Sequence, residues 1–424
     1  MIELDNLLIK INNSQGINFN NNLELFLSKL KPSYPIILIT GTNGKGSVCA
    51  YLKNILQLAG YKTGVYTSPH LLKYNERIAT NNNYISDQEL YKYLLHLIKE
   101  LKYWHQPIGL FKLFTLVAHQ YFIDQNIDIM ICEVGIGGAH DITNYFEPDL
   151  SVITKVSLDH CQLLGKNRES IGYQKVQIFR ANKPAIYGEA DIPNSVLDYV
   201  NQHQVKLYQF NKDFTIKTID RNCWHYIDLT NNNNLYSLPN PAMSGKQQII
   251  NASIAIAIVN TLSQNHNKFA ISKSMIKQAI SVTKIRGRFE ILAGYPRVIL
   301  DVAHNPDSVA NMATNMMELG LINNIAVFAI AKNKDLNNII KNCKHHFKKW
   351  YIAPINSVHK TANIDDIYQQ LLIHKILNRD IIKFNTVTDA VAAAYSLKKH
   401  NYNIVIFGSF HTIAEAINYR YLLN

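Results

Sequence analysis

Nowhere do the 424 residues hold about 18 uninterrupted apolar positions, the length a helix needs to cross a bilayer, so no membrane-spanning segment is expected. The cysteines are not paired in sequence either. Cys49, Cys132, Cys161, Cys223 and Cys343 lie far apart, and no CxxC marks a zinc knuckle or a redox pair. Three of the five sit inside or beside apolar runs, where a free thiol behaves as a small hydrophobe, which points to a reduced, intracellular protein. The opening MIELDNLLIKINNSQ has acids and amides where a secretory signal needs a basic start and an apolar stretch, so a soluble, cytoplasmic protein is expected. Acidic residues are in deficit, 31 against 43 Lys and Arg, leaving a formal charge of +12. No tract is dense enough in Lys and Arg to decide for nucleic acid, and the plainer reading is a basic surface suited to anionic small molecules. There is no GxGxxG to argue for a dinucleotide site, and no repeat of fixed period.

What the chain does have is a recurring unit: a short apolar strand, a turn carrying Gly, Asp or His, then an amphipathic helix. Parallel α/β domains read this way. Strands are predicted at Ile36 to Thr40, Ile127 to Cys132 and Leu150 to Val156. The polar stretch from about Asn201 to Asn240 reads as hairpins and loops, and QQIINASIAIAIVNTL (247–262) as a buried helix. After KIRGRFE the pattern restarts with RVILDVAHNP, followed by IAVFAIAKNKD, KWYIAPI and NIVIFGSFH as further buried strands. A chain this long supports two cores. We expect a larger α/β domain over 1–284 and a smaller α/β domain over 285–424.

The segment YPIILITGTNGKGS (34–47) carries the strongest chemical signal. In Gly41-Thr42-Asn43-Gly44-Lys45-Gly46-Ser47 the glycines let backbone amides point at phosphate oxygens, Lys45 adds a point charge, and the Ser47 hydroxyl can reach Mg²⁺. Gly46 separates lysine from serine, an offset from the usual GxxxxGK[ST]. An apolar strand precedes the loop and VCAYLKNILQLAG follows with helical spacing, the context a phosphate loop requires.

A triphosphate enzyme also needs hard oxygen ligands beside that loop. Glu133 ends the run IDIMIC before a glycine-rich turn, and Asp159-His160 follows SVITKV. Ligands gather outside the carboxyl ends of parallel strands, so Gly44, Glu133 and His160 are expected along one edge. Asp301 and His304 (DVAHNP) and His411 (FGSFHT) hold similar strand-end positions later in the chain.

Taken together, GTNGKGS (41–47), YTSPHLLKYNERI (66–78), EVGIGGAHDITN (133–144), SLDH (157–160), NRESIG (167–172), GRFE (287–290), RVILDVAHNP (297–306) and FGSFHT (407–412) resemble one family over nearly the whole chain. That family is folylpolyglutamate synthase, in its bacterial bifunctional dihydrofolate synthase/folylpolyglutamate synthase form, a relative of the Mur ligases. The resemblance implies a P-loop ATPase domain of Mur-ligase type followed by a smaller Rossmann-like α/β C-terminal domain. It also implies an activity: a carboxylate is phosphorylated by ATP, and the amino group of L-glutamate attacks the acyl phosphate. Dihydropteroate would yield dihydrofolate, and the γ-carboxyl of reduced folates would yield polyglutamates. By the resemblance, Thr42, Asn43, Gly44, Lys45, Gly46, Ser47, Asn251, Arg288 and Asp301 hold ATP. Ser47, Ser68, Glu133 and His160 hold Mg²⁺. Phe111, Lys112, His140, Asp141 and Ile142 line the pteroate or folate side, and His304 and Ser409 fall at the acyl phosphate and incoming glutamate. Lys45, His304 and Lys175 are the catalytic candidates, Lys175 matching a lysine that is carbamylated in the family. The implied partners are small molecules, without nucleic acid or membrane, on a monomer.

The chain departs from the family pattern at several places. Lys175 has Gln174 and Val176-Gln177 as flanks where Glu and Ala-Gly are usual, Lys112 stands where glutamate is usual, Ala139 replaces arginine, and Gln247 stands where histidine is common. A Mur-type amide ligase with a different carboxylate acceptor, or folylpolyglutamate synthase activity alone, stays open beside the bifunctional reading. From another class, a nucleic-acid-stimulated P-loop ATPase is favoured by charge only.

Overall fold

The computed structural model describes residues 2–13, 17–19, 32–100, 106–220, 222–231, 233–265, 269–356, 361–397 and 401–419. These form two compact units. One comprises Met1–Val156, Arg168–Asn240 and Ile250–Val282; the other comprises Ser157–Asn167, Pro241–Ile249 and Thr283–Asn424.

In the first unit the run IILIT makes the strand Ile36–Thr40, all five side chains buried. It lies within an eight-stranded sheet whose order is Lys206–Gln209, Pro184–Tyr187, Leu150–Ile153, Ile36–Thr40, Ile129–Glu133, Thr63–Tyr66, Ile78–Thr80 and Asn83–Tyr84. The first six run parallel, and the last two join by antiparallel pairing, Ile78–Thr80 to Thr63–Tyr66 and Asn83–Tyr84 to Ile78–Thr80. Covered on both faces, such strands read as continuous apolar runs, which explains why the sequence showed them. The register sets Ile39 opposite Glu133 on one side and Val152 on the other.

Several strand limits differ from the sequence pattern, and for two of them the hydrogen bonds give a local reason. The strand predicted from Ile127 begins at Ile129. Asp128 is engaged in a clamp instead: its N–H donates to the Lys62 carbonyl at 2.7 Å and its carboxylate accepts the Lys62 N–H at 2.7 Å. The strand predicted to run to Val156 stops at Ile153, because Thr154 and Lys155 turn to the glycine loop. The polar stretch after Gln202 supplies the edge strand Lys206–Gln209 and a three-stranded antiparallel sheet of Phe214–Thr218, Cys223–Asp228 and Leu235–Pro239. The buried helix is Lys246–Asn265, with Ala252 to Val259 enclosed.

The second unit is built on a six-stranded sheet, in order Glu290–Leu292, Val298–Asp301, Asn403–Phe407, Asn324–Phe328, Phe347–Ile352 and Ile381–Lys383, parallel except for its first pair. One face buries an aromatic cluster in which Phe407 lies 4.8 Å from Phe328 and 5.5 Å from Phe347, ring centre to ring centre. At Gly408, where φ is +121°, a Cβ would overlap the Ala329 carbonyl, so only glycine lets the chain turn off the strand there. Among the described residues no helix is long and apolar enough to cross a membrane, and all five cysteines are free.

Leu38 is fully enclosed at the middle of the central strand. Leu38→Ala is expected to cost about 2–5 kcal/mol in urea unfolding, the range for emptying a buried leucine site. A loss within error of zero would contradict this placement of the strand.

Candidate active site

The loop leaving Ile36–Thr40 is shaped by positions that admit no side chain. Gly41 has φ +150°, and a Cβ there would overlap Thr154 Oγ1; Gly44 has φ +90°, and its Cβ would sit 2.6 Å from Asn251 Oδ1. Thr154 Oγ1 donates to the Asn43 carbonyl at 2.7 Å, and Thr42 N–H donates to the Lys155 carbonyl at 2.7 Å, so the neighbouring strand end holds the loop. Gly44 caps the helix Lys45–Leu58, whose first turn contains no acid. The backbone N–H groups and partial positive charge of this helix end suit an anion. Asn251, 2% exposed, abuts Gly44 from the helix Lys246–Asn265. The structure therefore brings Thr42 to Ser47 and Asn251 together.

Glu133 reaches the same edge because its strand pairs with Ile36–Thr40 in parallel. It is 4% exposed. Its Oε1 lies 3.9 Å from Lys45 Nζ and its Oε2 accepts the Ser68 N–H at 3.1 Å, while Lys45 Nζ also donates to the Gly41 carbonyl at 3.1 Å. Among the described residues no three of His, Cys, Asp and Glu are grouped to hold a metal. Magnesium does not need such a group, since it takes one or two carboxylates and completes its shell with water and phosphate oxygens. A buried carboxylate beside the Ser68 backbone and a phosphate-type loop is a donor set that fits it. Behind Glu133 the glycine-rich turn is braced: Thr40 Oγ1 donates to the Gly137 carbonyl at 2.6 Å and Ala139 N–H to the Gln174 carbonyl at 2.9 Å. The same contact places the helix Arg168–Val176, and in it Lys175, only 3% exposed, against Gly138.

On the proposed pteroate side, Phe111 and Asp141 meet at Gly135, where a Cβ would lie 2.6 Å from Phe111 Cζ and 3.0 Å from Asp141 Oδ2. Asp141 Oδ2 accepts the N–H groups of Gly135 and Ile136, both at 3.1 Å. Its Oδ1 accepts Thr143 N–H at 3.0 Å and Thr143 Oγ1–H at 2.7 Å. Burial raises its pKa, and these four donors pull against that rise. Asp141 thus folds the loop itself. Ile142 is buried, whereas Lys112 and His140 are exposed.

In the second unit, Gly287 (φ +71°) and Phe289 (φ +46°) flank Arg288, whose guanidinium lies 5.2 Å from the Phe410 ring centre. Asp301 ends its strand and accepts the Ala303 N–H at 2.9 Å. Burial pushes its carboxyl up to about 7, against the lowering effects of the Ala303 N–H, the Arg288 charge and the Phe289 N–H. His304 places Nδ1 2.8 Å from the Val302 carbonyl, and its ring centre is 6.4 Å from that of Phe410. Ser409 caps the helix Phe410–Ile417 by accepting the Thr412 N–H at 3.1 Å, a local task the sequence did not reveal. His160 is an exposed left-handed residue (φ 52°) in the segment that clusters with this unit. Sequence reasoning missed Lys334, which bonds Asp159 Oδ1 at 2.6 Å. The signal was present: KNKD follows the parallel strand Asn324–Phe328, the kind of position that drew attention to Asp301 and His304.

The Asp301 shift has a thermodynamic consequence. Its folded pKa, about 7, is above the ordinary 3.8, so the fold favours the neutral carboxyl. That contribution is fully present below about pH 4 and is lost as pH rises through about 7. The stability of the wild type relative to Asp301→Asn, from urea unfolding, is expected to fall by on the order of 2–4 kcal/mol between pH 4 and 8. A difference constant across that range would contradict the shift.

Comparison with known proteins matches residues 39–259 to the Mur ligase middle domain and residues 287–410 to the Mur ligase glutamate ligase domain. The dihydrofolate synthase/folylpolyglutamate synthase of Buchnera aphidicola subsp. Acyrthosiphon pisum is 33% identical over 393 residues, covering 92% of this chain and 91% of that protein. Escherichia coli FolC, solved with DHPP and ADP, is 30% identical, with a TM-score of 0.88 over 98% of this chain and 97% of that one. A bifunctional folylpolyglutamate synthase/dihydrofolate synthase solved with Mn, AMPPNP and L-glutamate is 29% identical, with a TM-score of 0.87 over 99% and 98% of the two chains. Built on a phosphate-type loop and matched along both units, the chain belongs to the Mur ligase family, among the bifunctional dihydrofolate synthase/folylpolyglutamate synthases, which are ATP-dependent glutamate ligases.

Proposed function

We propose that this protein joins L-glutamate to dihydropteroate and to the γ-carboxyl of reduced folates, by way of an acyl phosphate. The observation that carries the reading is the glycine loop, sterically closed to side chains at Gly41 and Gly44 and followed by Lys45 against the buried Glu133. In the first step a carboxylate oxygen attacks the γ-phosphorus of ATP and ADP leaves. The glutamate nitrogen then attacks the acyl carbon, losing a proton, and phosphate departs.

The backbone N–H groups from Gly44 to Ser47 cradle the phosphates, Lys45 draws charge from the γ-phosphate, and Asn251 supports the loop from behind. Glu133, Ser47, Ser68 and His160 are assigned to Mg²⁺, which when bound supplies Lewis-acid neutralisation of the triphosphate. Arg288 and Asp301 are assigned to the remainder of ATP, and His304 and Ser409 to glutamate. Phe111, Lys112, His140, Asp141 and Ile142 are assigned to the pterin side, where Phe111 offers a ring surface and Asp141 holds the loop. We take residues 1–284 and 285–424 as the two domains, and a cytoplasmic monomer as the working state. The exposed Lys112 and the substituted Ala139 leave a Mur-type ligase with another carboxylate acceptor as the competing reading.

The deciding assay supplies ATP, Mg²⁺ and L-glutamate with either dihydropteroate or tetrahydrofolate. ADP release dependent on each acceptor is expected, and Lys45→Ala is expected to abolish it. Turnover with neither acceptor would overturn the substrate assignment. Lys175, 3% exposed, is assigned as a carbamylated lysine on the family resemblance. Lys175→Ala is expected to be inactive and to recover turnover when short carboxylic acids are added. Inactivity without such recovery returns Lys175 to a structural role.

A further inference from the structure

Asp159 is one of the more deeply enclosed acids of the second unit, 8% exposed, and both its oxygens are taken by donors. Oδ1 accepts Lys334 Nζ at 2.6 Å and the His160 N–H at 2.8 Å; Oδ2 accepts Asn305 Nδ2 at 3.1 Å and faces His304 Nε2 at 3.4 Å and His160 Nε2 at 3.9 Å. The partners come from separate loops, one following Val298–Asp301 and the other following Asn324–Phe328, while Asp159 itself arrives on the segment Ser157–Asn167. Burial by itself would raise this pKa. The hydrogen bond and charge of His304, with the charges of Lys334 and His160, win and hold the carboxyl well below the usual range.

We propose that Asp159 is a positioning residue of the ligase, fixing the His304 ring and the Lys334 ammonium where the incoming amino acid is bound. The inference rests on the glutamate-ligase reading above. His304 is held at both ends: Nδ1 is committed to the Val302 carbonyl, so the ring has one orientation in which Nε2 meets Asp159. Its place next to His160 in sequence suggests a metal ligand, yet its lone pairs are already directed at N–H donors. A stability role explains the cluster poorly, because burying an ion pair costs desolvation that the attraction barely returns. An exposed pair such as Lys383 with Asp365, also at 2.6 Å, shows that the fold makes such contacts on its surface without that cost.

The test uses the full chain and reads the L-glutamate dependence of ADP release, the Mg²⁺ dependence and the thermal midpoint. Asp159→Asn is expected to lower kcat/KM for L-glutamate by about 10- to 100-fold, mainly through KM, with the Mg²⁺ requirement unchanged. Lys334→Met should do the same, Lys334→Arg should recover most of the loss, and Lys383→Met should behave as wild type. Should Asp159→Asn not fold, the Met and Arg variants of Lys334 carry the test. An unchanged KM for glutamate in folded variants overturns the proposal, as does a loss confined to the thermal midpoint or to Mg²⁺ dependence. Absence of glutamate-dependent turnover in the wild type overturns the functional reading as well, and so is told apart from failure of the positioning role alone.

Discussion

The strand Ile36–Thr40 is enclosed on both faces and hydrogen-bonded to a parallel partner on each side, which leaves the chain one way out, at the carboxyl edge of the sheet. The chemistry of the first unit follows from that confinement. Because Ile129–Glu133 runs parallel in register, Glu133 arrives beside the exit; because Leu150–Ile153 does so on the other side, Thr154 arrives there too. At Gly41 and Gly44 the loop between them has room for backbone only, so both glycines are required and the backbone amides face the site. Packing of an apolar strand thereby prepares a polar site without depending on the rotamers of flexible side chains.

In the second unit two carboxylates, Asp159 and Asp301, show how surroundings divide one chemistry into two behaviours. Asp159, ringed by Lys334, His304 and His160, stays ionised well below the usual range. Asp301 has Arg288 as a nearby charge and two backbone donors, and burial prevails, bringing its pKa to about 7. One acid is a fixed anchor for cations. The other changes charge near neutrality, at the end of a strand that the family resemblance connects with ATP.

Several residues assigned to ligands turn out to serve the scaffold as well. Asp141 accepts four hydrogen bonds within its own loop, and Ser409 caps a helix. Such groups hold neighbouring atoms in place, so their substitution is expected to disturb geometry and binding together. Phe111, wedged at Gly135 with its ring 5.9 Å from that of Tyr66, belongs to the same braced surface.

Sequence alone determined the apolar strands, the glycine loop with its flanking strand and helix, and the ordered motifs that pointed to the family. These are local: the period of the apolar residues and the steric needs of a turn are written within about ten neighbouring positions. Tertiary structure decided where strands end, since Asp128 and Thr154 leave the sheet for partners distant in sequence, Lys62 and Asn43. It also decided that Asn251 closes on Gly44, that Lys175 is enclosed, and that Asp159 gathers Lys334, Asn305 and His304. Burial and long-range hydrogen bonds depend on which strands become neighbours, and no short stretch of this chain carries that information.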